Sequence, residues 1–378
     1  MRFGNQKSRS ETLITGSPIV SRLYGLFGRR FGSPVNVFGL DIGLNTIKIC
    51  QVFRQGNKIK PLSAGMFTAG IVASPLPGLL SEAETDLISL AGIIKKLHSD
   101  TKVSTKKGVL GIPEAQIFSR VIEMPKMKEE ELAEALPWEA EQMIPLPLTE
   151  VNLDWQVLGE VAGEGGIPKI KVFLIAAPII VIQKYQKVME LAGLELAAIE
   201  TNLLASSRAL LPPNCAPTMI VDMGSSSTEI GIVDKGMLVF TRSIPTAGEA
   251  LTRAISTSLS MEIAQAEQYK IAYGLEDSPL EGKIRKVLLP VMEVIAGEIK
   301  KVHLYWNDNE KEPIKNVVLS GGTANLPGTT ALLTQALGIE VQIGNPLAAL
   351  EMDEKLRAGL VNKSGLLTVA VGLSEKEV

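Results

Sequence analysis

Cysteine, histidine, aromatic residues and long apolar runs are all scarce in this sequence. Cys50 and Cys215 stand alone, His98 and His303 are its two imidazoles, and no Cys-x-x-Cys occurs, which argues against a zinc site. Lone cysteines in apolar surroundings read as reduced core thiols of a cytosolic protein in preference to a disulfide. Aromatics make up 4% of the chain, so aliphatics and alanine dominate an apolar fraction of 46%, a usage suited to helices packed on a largely parallel sheet. A formal charge of −3 lacks the basic footprint of a nucleic-acid binder, and no nucleic-acid partner is expected. The longest strongly apolar run, VFLIAAPIIVI (172–182), is too short to cross a bilayer, contains Pro178, and reads as a buried strand entering a helix. The start lacks a secretory h-region and cleavage site, so the chain is expected in the cytoplasm.

What is present begins with a basic leader, residues 1–34, in which Arg2, Lys7, Arg9, Arg22, Arg29 and Arg30 face one acid, Glu11. At helical spacing Ile19, Leu23, Leu26, Phe27 and Phe31 fall on one arc. Residues 19–31 can therefore form a basic amphipathic helix that contacts an anionic membrane surface peripherally. A disordered tail is the alternative, because Gly25 and Gly28 each cost about 1 kcal/mol of helix.

From Val35 the chain reads as two similar halves. FGLDIGLNTIKI and IVDMGSSSTEIGI each write an apolar strand, Asp-x-Gly, a short polar turn and a second strand. Asp41 and Asp222 lie 181 positions apart, close to half of the 378 residues. Both copies continue into a third strand, through a turn at Gln55-Gly56-Asn57 in the first half and one at Lys235-Gly236 in the second. The pattern predicts a helix around SEAETDLISLAGIIKKLH and a buried strand in KKGVLGIP. Residues 35–115 form the first half, with 195–217 and 366–378 packing on it. Residues 116–194 read as an inserted βαββα unit whose first helix Pro137 should kink or divide. Residues 218–245 and 311–365 form the second half, and 246–310 a helical subdomain.

The repeated turn has a chemical reading. A strand ending in Asp-x-Gly and turning tightly through small polar residues exposes backbone N–H groups that can cradle phosphates. The aspartates can hold Mg²⁺ through its waters, since Mg²⁺ keeps much of its hydration and needs one or two carboxylates. A third element, LSGGTANLPG (319–328), delivers a Gly-Gly turn and a helix start from a buried strand. Alone, each element is generic; together they describe a nucleotide clamp.

These three motifs on duplicated meanders resemble the actin, Hsp70 and sugar-kinase fold. The resemblance implies an α/β class, an actin-like (ribonuclease H-like) two-domain ATP-binding fold with an FtsA-type inserted subdomain. Closer still, GLDIG…IKI, PWEAEQMIPLPLTEVNLDWQVLG, VDMGSSSTEIGIVDKGMLVFTRSIPTAGEALT and SGGTANLPG are similar to the PilM family, actin-like inner-membrane assembly proteins of type IV pilus machines. The resemblance runs from about residue 38 to the C-terminus, and the leader stands outside it.

It implies a cytoplasmic protein, peripheral at the inner membrane, that binds ATP and Mg²⁺ between its halves. It also implies docking of the N-terminal peptide of the membrane protein PilN beside the inserted unit, with other platform proteins and motor ATPases as further partners. By motif match Asp41 and Asp222 become the Mg²⁺ residues. Gly43, Leu44, Asn45, Thr46, Lys48, Gly224, Ser225, Ser226 and Ser227 line the phosphates, with Lys48 a point charge for one of them. Gly321, Gly322 and Thr323 sit at the nucleoside, and Glu267 and Lys270 match positions that reach ribose and base. Leu44 and Asn45 stand where the family usually has serines, which implies fewer hydroxyl contacts and weaker nucleotide binding.

Hydrolysis needs a group that positions water at the γ-phosphate. Gln116 is the candidate for that role and Glu114 the nearest carboxylate, although Glu114 also reads as an exposed turn residue. Slow hydrolysis at most is expected. Trp138, Trp155 and Trp306 read first as packing anchors, with Trp138 and Ile-Pro-Leu-Pro (144–147) also in reach of a partner groove. Two rival functions share the fold: an FtsA-like membrane-associated filament protein, and a small-molecule kinase, for which the inserted unit offers no Asp-bearing turn.

Overall fold

The computed structural model describes residues 36–55, 58–68, 81, 83–163, 166–277, 279–352, 354, 357 and 360–378. The leader with its 19–31 arc and the Gly56-Asn57 turn lie outside the described residues. Strands β1 (Phe38–Ile42), β2 (Thr46–Gln55) and β3 (Lys58–Thr68) form an antiparallel meander. Helix α1 (Glu84–Asp100), acidic in its first turn, crosses over to β4 (Lys107–Ile112), which pairs parallel with β1. Further along the chain, β8 (Glu195–Thr201) completes the sheet in the order β3-β2-β1-β4-β8. β1 and β4 are apolar on both faces because helices cover both sides, as parallel pairing requires.

The second half repeats this plan. β9 (Thr218–Met223), β10 (Thr228–Asp234) and β11 (Met237–Ile244) form a meander, β12 (Asn316–Ser320) pairs parallel with β9, and β13 (Glu340–Ile343) closes the order β11-β10-β9-β12-β13. Helices α5 (Gly248–Leu259), α6 (Ile263–Tyr273) and α7 (Lys283–Asn309) stand between β11 and β12, and α8 (Thr329–Leu337) joins β12 to β13.

The inserted unit is a separate antiparallel sheet, β5 (Phe118–Pro125), β7 (Pro168–Pro178) and β6 (Val151–Ala162) in that spatial order, covered by α2 (Glu129–Glu141). Its central strand β7 is buried on both faces. Val172, Leu174 and Ala176 join the core under α2, while Phe173, Ile175 and Ala177 point into the first half's core. Helix α3 (Ile179–Leu191), expected with the inserted unit, contributes Ile182, Tyr185, Val188 and Met189 to that first core. Helix α2 runs continuously past Pro137, held at its start by Glu131 Oε2 accepting from Lys128 N at 3.1 Å. Trp306 is buried in the second core and Trp155 packs under α2, but Trp138 is 73% exposed and anchors nothing.

A helix absent from the sequence reading, α4 (Asn202–Leu210), joins the halves. Thr201 caps it, its hydroxyl accepting from Leu204 N at 3.2 Å. The C-terminal helix (Thr368–Ser374) lies between α4 and β1 at backbone contact: a Cβ on Gly372 would fall 1.9 Å from Ala205 O, and one on Gly39 2.1 Å from Ala370 O. One charge cluster pins these segments. Glu200, fully buried, accepts from Arg208 at 2.6 and 2.8 Å and from Lys376 at 2.9 Å, while Arg208 also donates to Gly372 O at 2.6 Å. Glu200→Ala would strand two cations beneath the crossover. It is expected to lower stability by about 3–5 kcal/mol, read as a drop in the urea midpoint at unchanged slope; a change under 1 kcal/mol contradicts this role.

Candidate functional site

The two meanders place two matched turns at one cleft. In the first, Gly43 N donates to Thr46 O at 2.9 Å; in the second, Gly224 N donates to Ser227 O at 3.0 Å. A Cβ on either glycine would meet the same carbonyl at 3.0 Å. The amides of Leu44, Asn45, Ser225 and Ser226 are not engaged by backbone carbonyls, which leaves a donor surface on each turn. The turns touch: Asn45 Nδ2 donates to Ser225 Oγ at 2.8 Å.

Behind each turn the register sets a cross-strand pair. Asp41 stands opposite Lys48, and Lys48 Nζ donates to Asp41 Oδ2 at 2.9 Å with both groups buried. At the equivalent place in the second meander Asp222 stands opposite Glu229. The second aspartate therefore has an acid where the first has a cation. Burial, then the nearby Asp41, push Asp222 up to about 7 against the opposing pull of Lys48, with Glu114 raising it further. Glu229 is raised well above the usual carboxylate range by burial and by Glu114. Glu114 Oε2 and Glu229 Oε1 are both buried without a hydrogen-bond partner at the base of the cleft.

The third element closes the floor. Ser320 at the end of β12 pairs with Asp222, and Gly321 follows with φ of +87°. A Cβ there would lie 2.4 Å from Asp222 Oδ1, so this position needs glycine for both conformation and space. Thr323 Oγ1 donates to Gly224 O at 2.7 Å, buttressing the second turn from behind, while Gly322 is exposed beside it.

Lys270 and Glu267 serve the same turn. Lys270, 5% exposed, donates to Gly248 O at 3.0 Å, Thr252 Oγ1 at 2.9 Å and Glu267 Oε2 at 2.7 Å, and Gly248 N in turn donates to Gly224 O at 3.2 Å. The motif match put these two residues at ribose and base; their bonds support α5 and the phosphate-type turn. Glu114 is buried, not an exposed turn residue, and its Oε1 accepts from Leu203 N at 3.0 Å in the first turn of α4. Gln116, in the short 3₁₀ turn after β4, keeps its buried Oε1 unpartnered. Glu229 was missed by sequence reading, and its one signal was its register opposite Asp222.

The donor set suits a magnesium-bound phosphate chain. It offers backbone N–H groups on two sides, a lysine within the first jaw, and a half-buried carboxylate, Asp222, whose charge lacks a cation across the strand. Among the described residues no helix is long and apolar enough to cross a membrane.

Residues 39–377 match the family described as Type IV pilus assembly protein PilM. The chain belongs to this family. A solved PilM-PilN type IV pilus biogenesis complex superposes with a TM-score of 0.77 at 25% identity, over 90% of this chain and 98% of that one. Ethanolamine utilization protein EutJ from Carboxydothermus hydrogenoformans superposes with a TM-score of 0.55 at 18% identity, over 91% and 90%. Cell division protein FtsA is also similar. The Neisseria meningitidis protein is 24% identical over 227 residues, 54% of this chain and 55% of that protein. The Pseudomonas aeruginosa protein is 23% identical over 273 residues, 66% and 65%. The matches thus span less than two thirds of these two relatives. The PilM-family fold is actin-like α/β, as the duplicated meanders implied.

Two outcomes follow from the site's geometry. Gly321→Ala is expected to cost about 1–3 kcal/mol in a denaturant titration, and an unchanged midpoint contradicts the contact with Asp222. Asp222 binds its proton more tightly folded than unfolded, so its ionisation costs stability from about pH 3.9 upward, in full above pH 7. Asp222→Asn should therefore raise the melting temperature at pH 8 by ~2 °C or more and leave it nearly unchanged at pH 4. A lower melting temperature at pH 8 would contradict the charge assignment.

Proposed function

We propose that this chain is an ATP-binding scaffold of a type IV pilus assembly machine, docking the cytoplasmic N-terminal peptide of a PilN-type membrane protein. In that role it links the inner-membrane platform to the assembly motors from the cytoplasmic face. The observation that carries the nucleotide part is the pair of matched turns at one cleft, each backed by an aspartate. Amides of 43–46 and 224–227 would hold the phosphates. Asp41 and Asp222 would hold Mg²⁺ through water, and Gly321, Gly322 and Thr323 would border the nucleoside. The magnesium ion neutralises phosphate charge when bound. Glu114 is tied to α4, so Gln116 is the freer group to orient water; hydrolysis is slow at most, and ATP acts as a switch.

The peptide part is supported by the relationship to PilM and by the exposed apolar surface of the inserted unit. Trp138 is 73% exposed, Val157 44% and Leu146 39%, all within the most family-like stretch of the sequence. Large exposed aromatics of this kind anchor partners. The acids Glu129, Glu130 and Glu131 at the start of α2 would attract a basic peptide. The FtsA relatives favour one rival, partner-free self-assembly, which ATP-dependent pelleting of the protein alone would reveal.

Calorimetry tests the proposal. Mg-ATP should bind the full chain, Asp222→Ala should abolish that binding, and a PilN-type N-terminal peptide should bind the chain independently. Trp138→Ala is expected to weaken the peptide at least ten-fold without altering Mg-ATP affinity, about 1.4 kcal/mol of one anchor. If neither ligand binds, the proposed function is wrong.

A further inference from the structure

The contact between the two turns has a consequence for how the cleft opens. Asn45 Nδ2 and Ser225 Oγ lie 2.8 Å apart across 180 positions of sequence, and they belong to opposite halves of the molecule. Each partner sits on a fixed turn. The first is closed by the Gly43-to-Thr46 bond and by the Asp41–Lys48 ion pair behind it. The second is held from below, with Gly224 O accepting from Thr323 Oγ1 and Gly248 N, and Ser225 O accepting from Glu249 N at 2.8 Å. A bond between two fixed turns constrains the halves themselves. It also differs in kind from the floor contact, where Glu114 and Glu229 meet buried; Asn45 is exposed at the rim.

We propose that Asn45 is a catch across the mouth of the cleft: bonded to Ser225, it holds the two turns together with no ligand between them, and a nucleotide must break this bond to enter. The identity of the entering ligand rests on the nucleotide reading above; the catch itself does not. Asparagine is the residue that makes this possible. Its amide nitrogen ends one bond further from the backbone than a serine hydroxyl, so a serine at 45 would leave the span unbridged. Asn45 therefore lowers affinity through competition for the open state, in proportion to the fraction of molecules with the catch closed.

The test uses Asn45→Ala and Asn45→Ser in the full chain, with two readouts. Without ligand, small-angle X-ray scattering should show a larger radius of gyration for both variants than for the parent, as the two halves separate. With Mg-ATP, calorimetry should show binding about five-fold tighter than the parent, the worth of one exposed hydrogen bond. Weaker Mg-ATP binding by Asn45→Ala overturns the proposal, because it makes Asn45 a phosphate ligand. An unchanged radius of gyration in both variants also overturns it. Failure of every variant and the parent to bind Mg-ATP would sink the nucleotide reading, and the scattering readout would still decide the catch.

Discussion

The cross-strand pair at the end of each meander governs the cleft. Two strands run antiparallel, so the residue seven positions after each aspartate stands directly opposite it. In the first half that residue is Lys48, and Asp41 has its counter-charge at 2.9 Å. In the second it is Glu229, and Asp222 is left facing an acid. One backbone plan, used twice, thus yields one neutralised jaw and one that accumulates negative charge. Burial and neighbouring acids accordingly raise Asp222 to about 7 and Glu229 well above the usual carboxylate range. Carboxylates held in so acidic a surrounding cost stability when ionised.

The rest of the architecture keeps the two jaws in register. Both sheets have the same strand order, and the aspartate strand is central in each. The halves are joined where α4 and the C-terminal helix cross at backbone distance, locked by Glu200, Arg208 and Lys376. A buried cluster of that kind contributes little net stability by itself, but removing one member leaves charges unpaired in the interior. Rigid jaws on a pinned crossover give small contacts at the rim, such as the one between Asn45 and Ser225, influence over the whole opening.

Much of this was legible in the sequence, and the reason differs by element. The meanders were readable because alternating apolar residues, Asp-x-Gly and hairpin turns are local signals that recur in both halves. The third motif was readable because a Gly-Gly turn after an apolar run and before a helix start is a local signal, and the structure adds Gly321's positive φ. Helix α4 was not seen: nine residues between a buried strand and Leu211-Pro212-Pro213 give too little periodicity to separate from the linker. Glu229 was invisible because an acid inside a strand acquires meaning only from its register partner. Trp138 was misjudged because composition cannot tell the covered face of α2 from its open one; Leu132, Leu136 and Ala140 fill the covered face. Motif position places Lys270 at ribose and base but carries no sign of its bond to Gly248 O, which depends on how α5 and α6 pack.

In the proposed function both turns grip one ligand at once. A crystal structure of the full chain with Mg²⁺ and a non-hydrolysable ATP analogue tests it most directly. Phosphate oxygens are expected within hydrogen-bond distance of amides in both 43–46 and 224–227, with the metal's waters on Asp41 and Asp222. Phosphates bound to one turn alone, or a nucleotide seated outside this cleft, would contradict it.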